Sequence, residues 1–157
     1  MDKITSFTID HLKLLPGVYV SRKDRVGDQV ITTFDIRMTR PNYEPVMNTA
    51  EVHTIEHLAA TWLRNNDEWK DRVLYFGPMG CRTGFYLLMR GDNRPAAIKL
   101  VRDSFKFISE FSGEIPGATE PECGNYLEHD LDSAKKDVLP LLKVLEDYPV
   151  EKLIYPD

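Results

Sequence analysis

His53 and His57 stand four residues apart in His53-Thr54-Ile55-Glu56-His57. On a helix that spacing sets two imidazoles side by side, about 40° apart in azimuth. Two imidazoles one turn apart can grip a single metal ion without backbone strain. Glu56 falls about 60° from His53 on the same helix, close enough to act on a group at the ion without being a ligand. Two helical imidazoles leave a catalytic ion one protein ligand short, and the remaining donors are His11, His129, Cys81 and Cys123. Spacing alone does not choose among them. Cys123, in Pro121-Glu122-Cys123-Gly124, would complete a set suited to zinc or ferrous iron with a fourth position open, and Gly124 would permit close backbone approach. Cys81 lies between Gly80 and Arg82, where exposed amides and positive charge lower a thiol's pKa. A thiol titrating near neutrality can shuttle protons or attack carbon. Each feature also has a plainer reading: a solvated helix face for the histidines, a small packed hydrophobe for either cysteine.

These residues need elements to hold them. Val18-Tyr19-Val20 and Gln29 to Arg37 read as two strands rich in β-branched and aromatic residues, joined by the charged turn Lys23 to Asp28 as an antiparallel hairpin. Pro41-Asn42 and Pro45 break regular structure. From Asn48 to Asn65 the pattern is helical, capped by Asn48 or Thr49, with Val52, Ile55, Ala59, Trp62 and Leu63 as the buried stripe. A second strand pair, Arg72 to Phe76 and Phe85 to Arg90, flanks the glycine-rich stretch Gly77 to Gly84, too elaborate for a simple turn. Pro95 opens a helix to about Phe111, a Pro- and Gly-punctuated loop runs from Gly113 to Cys123, and a last amphipathic helix spans Asp132 to Glu146, kinked at Pro140. Paired strands predict an α+β fold, an antiparallel sheet with helices packed on one side.

The chain has 157 residues, 42% hydrophobic and 29% charged, which predicts one domain over residues 1–157 with a core that needs no metal or disulfide staple. Twenty Lys and Arg against 25 Asp and Glu give a net charge of −5 with no basic block, which argues against nucleic acid or an anionic membrane surface as partner. The apolar runs are too short to span a bilayer, and Met1-Asp2-Lys3 does not lead into a signal-peptide core. Two cysteines and no leader predict a cytoplasmic protein with free thiols.

The combination resembles S-ribosylhomocysteine lyase, the LuxS autoinducer-2 synthase family, nearly end to end. The resemblance is carried by Ser6-Phe7 with Asp10-His11, Phe34-Asp35-Ile36-Arg37 with Pro41-Asn42, His53 to Ala59, Gly77 to Tyr86, and Glu122-Cys123-Gly124-Asn125-Tyr126. It implies that His53, His57 and Cys123 hold one divalent ion per subunit, ferrous iron with zinc as the alternative. It implies that Glu56 and Cys81 are the acid–base pair, and that Ser6, His11, Arg37 and Arg64 lie near the substrate. It also implies a homodimer with active sites at the interface. The family reaction cleaves S-ribosylhomocysteine to homocysteine and 4,5-dihydroxy-2,3-pentanedione, the precursor of the quorum-sensing signal autoinducer-2, within the methyl cycle. The chain departs from the family at Tyr75, where better-known members carry aspartate in Asp-Ile-Ser-Pro-Met, and at Arg40, where glutamine is common.

Two other classes share part of the pattern. His-x-x-Glu-His is also the inverted zinc-peptidase signature, with glutamate activating water. That class takes a carboxylate as third ligand and leaves Cys81 unexplained. A metal-sensing regulator would hold the ion without turnover, but no basic recognition helix is present.

Overall fold

A computed structural model describes residues 1–157. Four strands, β1 (Gly17–Val26), β2 (Gln29–Arg37), β3 (Val73–Pro78) and β4 (Gly84–Arg90), form one antiparallel sheet in the order β1-β2-β4-β3. Three helices, α1 (Thr49–Asn65), α2 (Arg94–Glu110) and α3 (Leu131–Leu145), complete the α+β fold, with short 3-10 helices at Thr5–Phe7 and Val150–Leu153.

The hairpin forms as the composition predicts, but its turn is shorter. Strand β1 continues through the charged residues to Val26, and only Gly27 and Asp28 turn the chain, with Gly27 at φ 62°. Gly27 supplies the left-handed backbone that tight hairpins need. The charged stretch reads as a loop by composition and is a strand by pairing, because side chains that face water satisfy a strand as well as a turn. Both margins of the sheet are irregular. In β1 the ladder shifts between Val20 and Arg22, and in β3 it shifts between Val73 and Tyr75, so Ser21 and Leu74 are extra residues.

Alternation along β2 sorts two environments. Phe34 and Ile36 face the helices and are fully buried in the main hydrophobic cluster with Val18, Phe85, Leu87 and Met89. Asp35 and Arg37 point to the opposite face, yet they are 0% and 2% exposed. On α1, Val52, Ile55, Ala59 and Leu63 fill the same core, whereas Trp62 is only partly buried. A capping box starts the helix: the Glu51 carboxylate accepts the Asn48 amide at 2.6 Å. Asp130 caps α3 by accepting from the Ser133 amide at 3.0 Å, and the helix continues through Pro140.

The glycine-rich stretch is strand at both ends. Gly77 and Gly84 belong to β3 and β4, which leaves a loop of Met79 to Thr83. A Cβ on Gly84 would meet the Ile36 carbonyl oxygen at 2.3 Å, so β2 and β4 approach as they do only because residue 84 has no side chain. Gly80 is different: open space surrounds it. Arg82 takes φ 60°, unusual for a side-chain-bearing residue, and is held by its amide to the Met79 carbonyl and by its guanidinium to the Met47 carbonyl.

Candidate metal centre

Helix α1 delivers His53 and His57 from one face, and the loop before α3 brings Cys123 against them. The Cys123 sulfur lies 3.4 Å from His53 Nε2 and 3.9 Å from His57 Nε2. A tetrahedral ion with metal–sulfur and metal–nitrogen bonds of about 2.3 and 2.0–2.1 Å would separate such donors by about 3.6 Å. The donor set fits a divalent ion of the zinc or ferrous class.

Hydrogen bonds choose the tautomers. His53 Nδ1 lies 2.8 Å from the Glu128 carbonyl, and His57 Nδ1 lies 2.7 Å from the Pro116 carbonyl. A carbonyl only accepts, so each Nδ1 carries the hydrogen and each Nε2 presents its lone pair to the Cys123 sulfur. Gly117 makes room for this: it sits at φ 71°, and a Cβ there would meet His57 Nδ1 at 3.3 Å. Gly124 does not have the role its position beside Cys123 suggests, since a Cβ there would meet nothing within 4 Å. The Asn125 amide donates to the Cys123 sulfur at 3.4 Å.

Of the donors that spacing leaves open, the structure brings in Cys123 and also His129; His11 and Cys81 lie outside the cluster. Ligand atoms of His53, His57, Cys123 and His129 all fall within 4.8 Å of one another. The His129 ring stacks on His53, centroids 4.0 Å apart and planes 20° from parallel, while His53 and His57 are nearly perpendicular at 87°. An ion binds best near the plane of each imidazole that holds it, a geometry that two stacked rings share poorly. His129 is thus a platform for His53. Burial, then the charges of His53 and His57, hold its pKa down at about 4.

Glu56 and His53 line a cavity of about 400 Å³ together with Met79, Gly80 and Arg82 of the β3–β4 loop. Cys81, on that loop, is an exposed free thiol, as Cys123 is a half-buried one. Burial would raise the Cys81 pKa, but hydrogen bonds from Thr83 and the Arg37 charge outweigh it and leave the thiol below its ordinary value. Arg37 Nη1 donates to Thr83 Oγ1 at 2.8 Å and stands 4.0 Å from the sulfur. Arg37 is in turn paired with Asp35, Nη2 to Oδ2 at 2.6 Å and Nε to Oδ1 at 3.1 Å.

The remaining candidates lie apart within one chain. Ser6 borders a separate cavity of about 340 Å³ with Tyr75, Tyr86 and Thr33 on the outer sheet face. His11 Nδ1 bonds only to the Ile9 carbonyl, and Arg64 donates to the carbonyls of Val73 and Leu74 on β3. Neither lines the cavity beside Glu56. Tyr75 and Gly77 are coupled: a Cβ on Gly77 would meet the Tyr75 hydroxyl at 1.9 Å, so the tyrosine occupies the space a side chain at 77 would need. Sequence reasoning places His129 among possible ligands but misses its platform role, and it misses the carbonyl partners entirely, because nothing in a loop's composition marks a carbonyl for a histidine.

The S-ribosylhomocysteinase (LuxS) family model matches residues 4–149. The chain is 57% identical to an S-ribosylhomocysteine lyase of Clostridium beijerinckii and 56% identical to one of Clostridium acetobutylicum, each over the full length of both chains. It is 54% identical to an S-ribosylhomocysteine lyase of Borreliella burgdorferi over 99% of this chain and all of that one. With a full-length match at more than half identity and a donor set on one helix face and one loop, this chain belongs to the S-ribosylhomocysteinase (LuxS) family.

Proposed function

We propose that residues 1–157 act as one domain, a metal-dependent lyase that cleaves S-ribosyl-L-homocysteine to L-homocysteine and 4,5-dihydroxy-2,3-pentanedione. The observation that carries this reading is the convergence of two Nε2 lone pairs and the Cys123 sulfur beside a cavity bordered by Glu56 and the Cys81 loop. His53, His57 and Cys123 hold one ion, ferrous iron with zinc as the alternative. When bound, it supplies Lewis acidity to a sugar carbonyl.

The chain's own residues then move protons. The opened sugar aldehyde becomes a ketone at carbon 2 and then at carbon 3. Each shift removes a proton beside a carbonyl and returns one to the neighbouring carbon. The carbon 3 ketone acidifies carbon 4, and the homocysteine thiolate leaves carbon 5 by β-elimination. Glu56 and Cys81 take and return these protons from the helix side and the loop side of the cavity. Arg37 and Thr83 favour the thiolate form of Cys81, the form in which it acts as a base. No redox cofactor is needed, because oxidation at one carbon balances reduction at its neighbour.

Ser6, His11, Arg37 and Arg64 are proposed as substrate-side residues. Ser6 and His11 do so across a two-fold homodimer, in which the N-terminal segment closes the neighbour's pocket. Exposed Ile4, Phe7, Leu12 and Leu15 on that segment support such docking. A thiolate ligand and a titrating thiol suit a reducing cytoplasm. No helix is long and apolar enough to cross a membrane, and the net charge of −5 disfavours nucleic acid. A peptidase would close its metal with a carboxylate, whereas this cluster closes with a thiolate and carries a third imidazole. Incubation with S-ribosylhomocysteine and a thiol reagent tests the reading: release of homocysteine is expected, and its absence from metal-loaded protein would refute the lyase.

A further inference from the structure

The Asp35–Arg37 pair is buried on the sheet face away from the helices, and something must cover it there. The cover is the segment after the Val150–Leu153 helix, beyond the residues the family model matches. Tyr155 stacks on Tyr19, with ring centroids 5.2 Å apart, and its hydroxyl donates to Asp35 Oδ2 at 2.7 Å.

We propose that Tyr155 is a positioning residue for the acid–base thiol, acting through Asp35 and Arg37 on Cys81. Arg37 donates on two sides, to Asp35 and to Thr83. Asp35 accepts from the Tyr155 hydroxyl and from Nε and Nη2 of Arg37. The third arm of the guanidinium donates to Thr83 Oγ1, whose own hydrogen is then free for the Cys81 sulfur 3.2 Å away. Donors on the Arg37–Thr83 branch point toward sulfur, which stabilises a thiolate over a thiol. Tyr155 carries part of the Asp35 charge, so less of the guanidinium charge is spent inside the pair and more is felt at Cys81. It also holds the bidentate fork in one orientation.

The other titratable groups packed around the network are Tyr19 and Arg22 from β1, Tyr86 from β4 and Tyr148 after α3. Tyr19 gives its hydrogen to the Leu15 carbonyl, so it does not substitute for Tyr155. Removing the Tyr155 hydroxyl leaves a buried carboxylate oxygen one donor short, and the Arg37 charge is drawn more fully into the pair.

This inference rests on the proposed acid–base role of Cys81, but its test does not need turnover. In metal-loaded protein, the rate of Cys81 alkylation by iodoacetamide is followed against pH, peptide by peptide. Tyr155→Phe is expected to raise the midpoint by about half to one pH unit, and to move the acid limb of kcat/KM upward with it. Tyr148→Phe removes another phenol from the same region, one that donates to the Val18 carbonyl, and is expected to leave the midpoint in place. Should Tyr155→Phe fail to fold, 3-fluorotyrosine installed at 155 keeps the shape and donates more strongly, and the midpoint is expected to fall. An unmoved midpoint in the folded Tyr155 variants, or an equal rise in Tyr148→Phe, overturns the positioning role. Failure of the wild-type protein to cleave S-ribosylhomocysteine overturns the proposed reaction instead, and leaves the thiol titration as the reading of Tyr155.

Discussion

Glu56→Gln keeps the length and polarity of the side chain but cannot accept a proton at neutral pH, and Cys81→Ala removes the titrating thiol. Neither residue is in the proposed ligand set, so both variants are expected to keep one equivalent of metal while kcat falls about 10²–10⁴-fold. Near wild-type turnover by metal-loaded Cys81→Ala would make that thiol structural. A subtler residue is Gly117, whose left-handed backbone and contact with the His57 ring sit beside the carbonyl that fixes the His57 tautomer. Gly117→Ala is expected to weaken metal affinity by about 10-fold or more, the range for disturbing groups that orient a ligand. Competition with a chelator measures it, and unchanged affinity would show that the loop yields without moving Pro116. The histidine pair was legible because helical period is a local property. The partners of those histidines were not, since Glu128 and Pro116 lie 75 and 59 residues away in sequence and act through backbone oxygens.

At the level of elements, α1 and α3 meet through two acids. The Asp137 carboxyl packs against Glu51 in the first turn of α1, and burial, followed by the hydrogen bond and charge of Glu51, pushes its pKa up to about 7. A folded pKa above the unfolded value of about 3.9 means that the native state binds the extra proton. This pair therefore favours the fold most below about pH 4, and the advantage is lost as pH rises through 7. Asp137→Asn is expected to be more stable than wild type at pH 8, by about 1–2 kcal/mol after allowance for solvent at a half-exposed site. The gain is expected to shrink steadily toward pH 4. Thermal melts across that range check it, and a pH-independent difference would discard the shared proton. Helix limits were readable within a residue or two from periodicity and, for α1, from the cap Asn48. The first hairpin's turn and the two ends of the glycine-rich stretch were not legible, because charge and glycine signal loops only when no neighbouring strand pairs with them.

For the whole molecule, one chain places Ser6 and His11 outside the cavity beside Glu56, and a second copy is the proposed remedy. Sedimentation of the active protein is expected to give a dimer, and Phe7→Asp, which charges an exposed apolar side chain of the N-terminal segment, is expected to weaken both dimer and turnover. Full activity from a sedimenting monomer would contradict this. How such a protein associates, and how it avoids associating further, follows from its two irregular sheet margins. An open strand edge is a template on which another extended chain can pair, and each addition exposes a fresh edge for the next. Here the extra Ser21 interrupts one margin, followed by the charged run Arg22, Lys23, Asp24 and Arg25, and the extra Leu74 interrupts the other. Neither margin offers an unbroken row of amides and carbonyls to an incoming strand, so growth into fibrils is disfavoured, and in the proposed dimer self-recognition would fall to faces, where two copies would close on each other and assembly would stop.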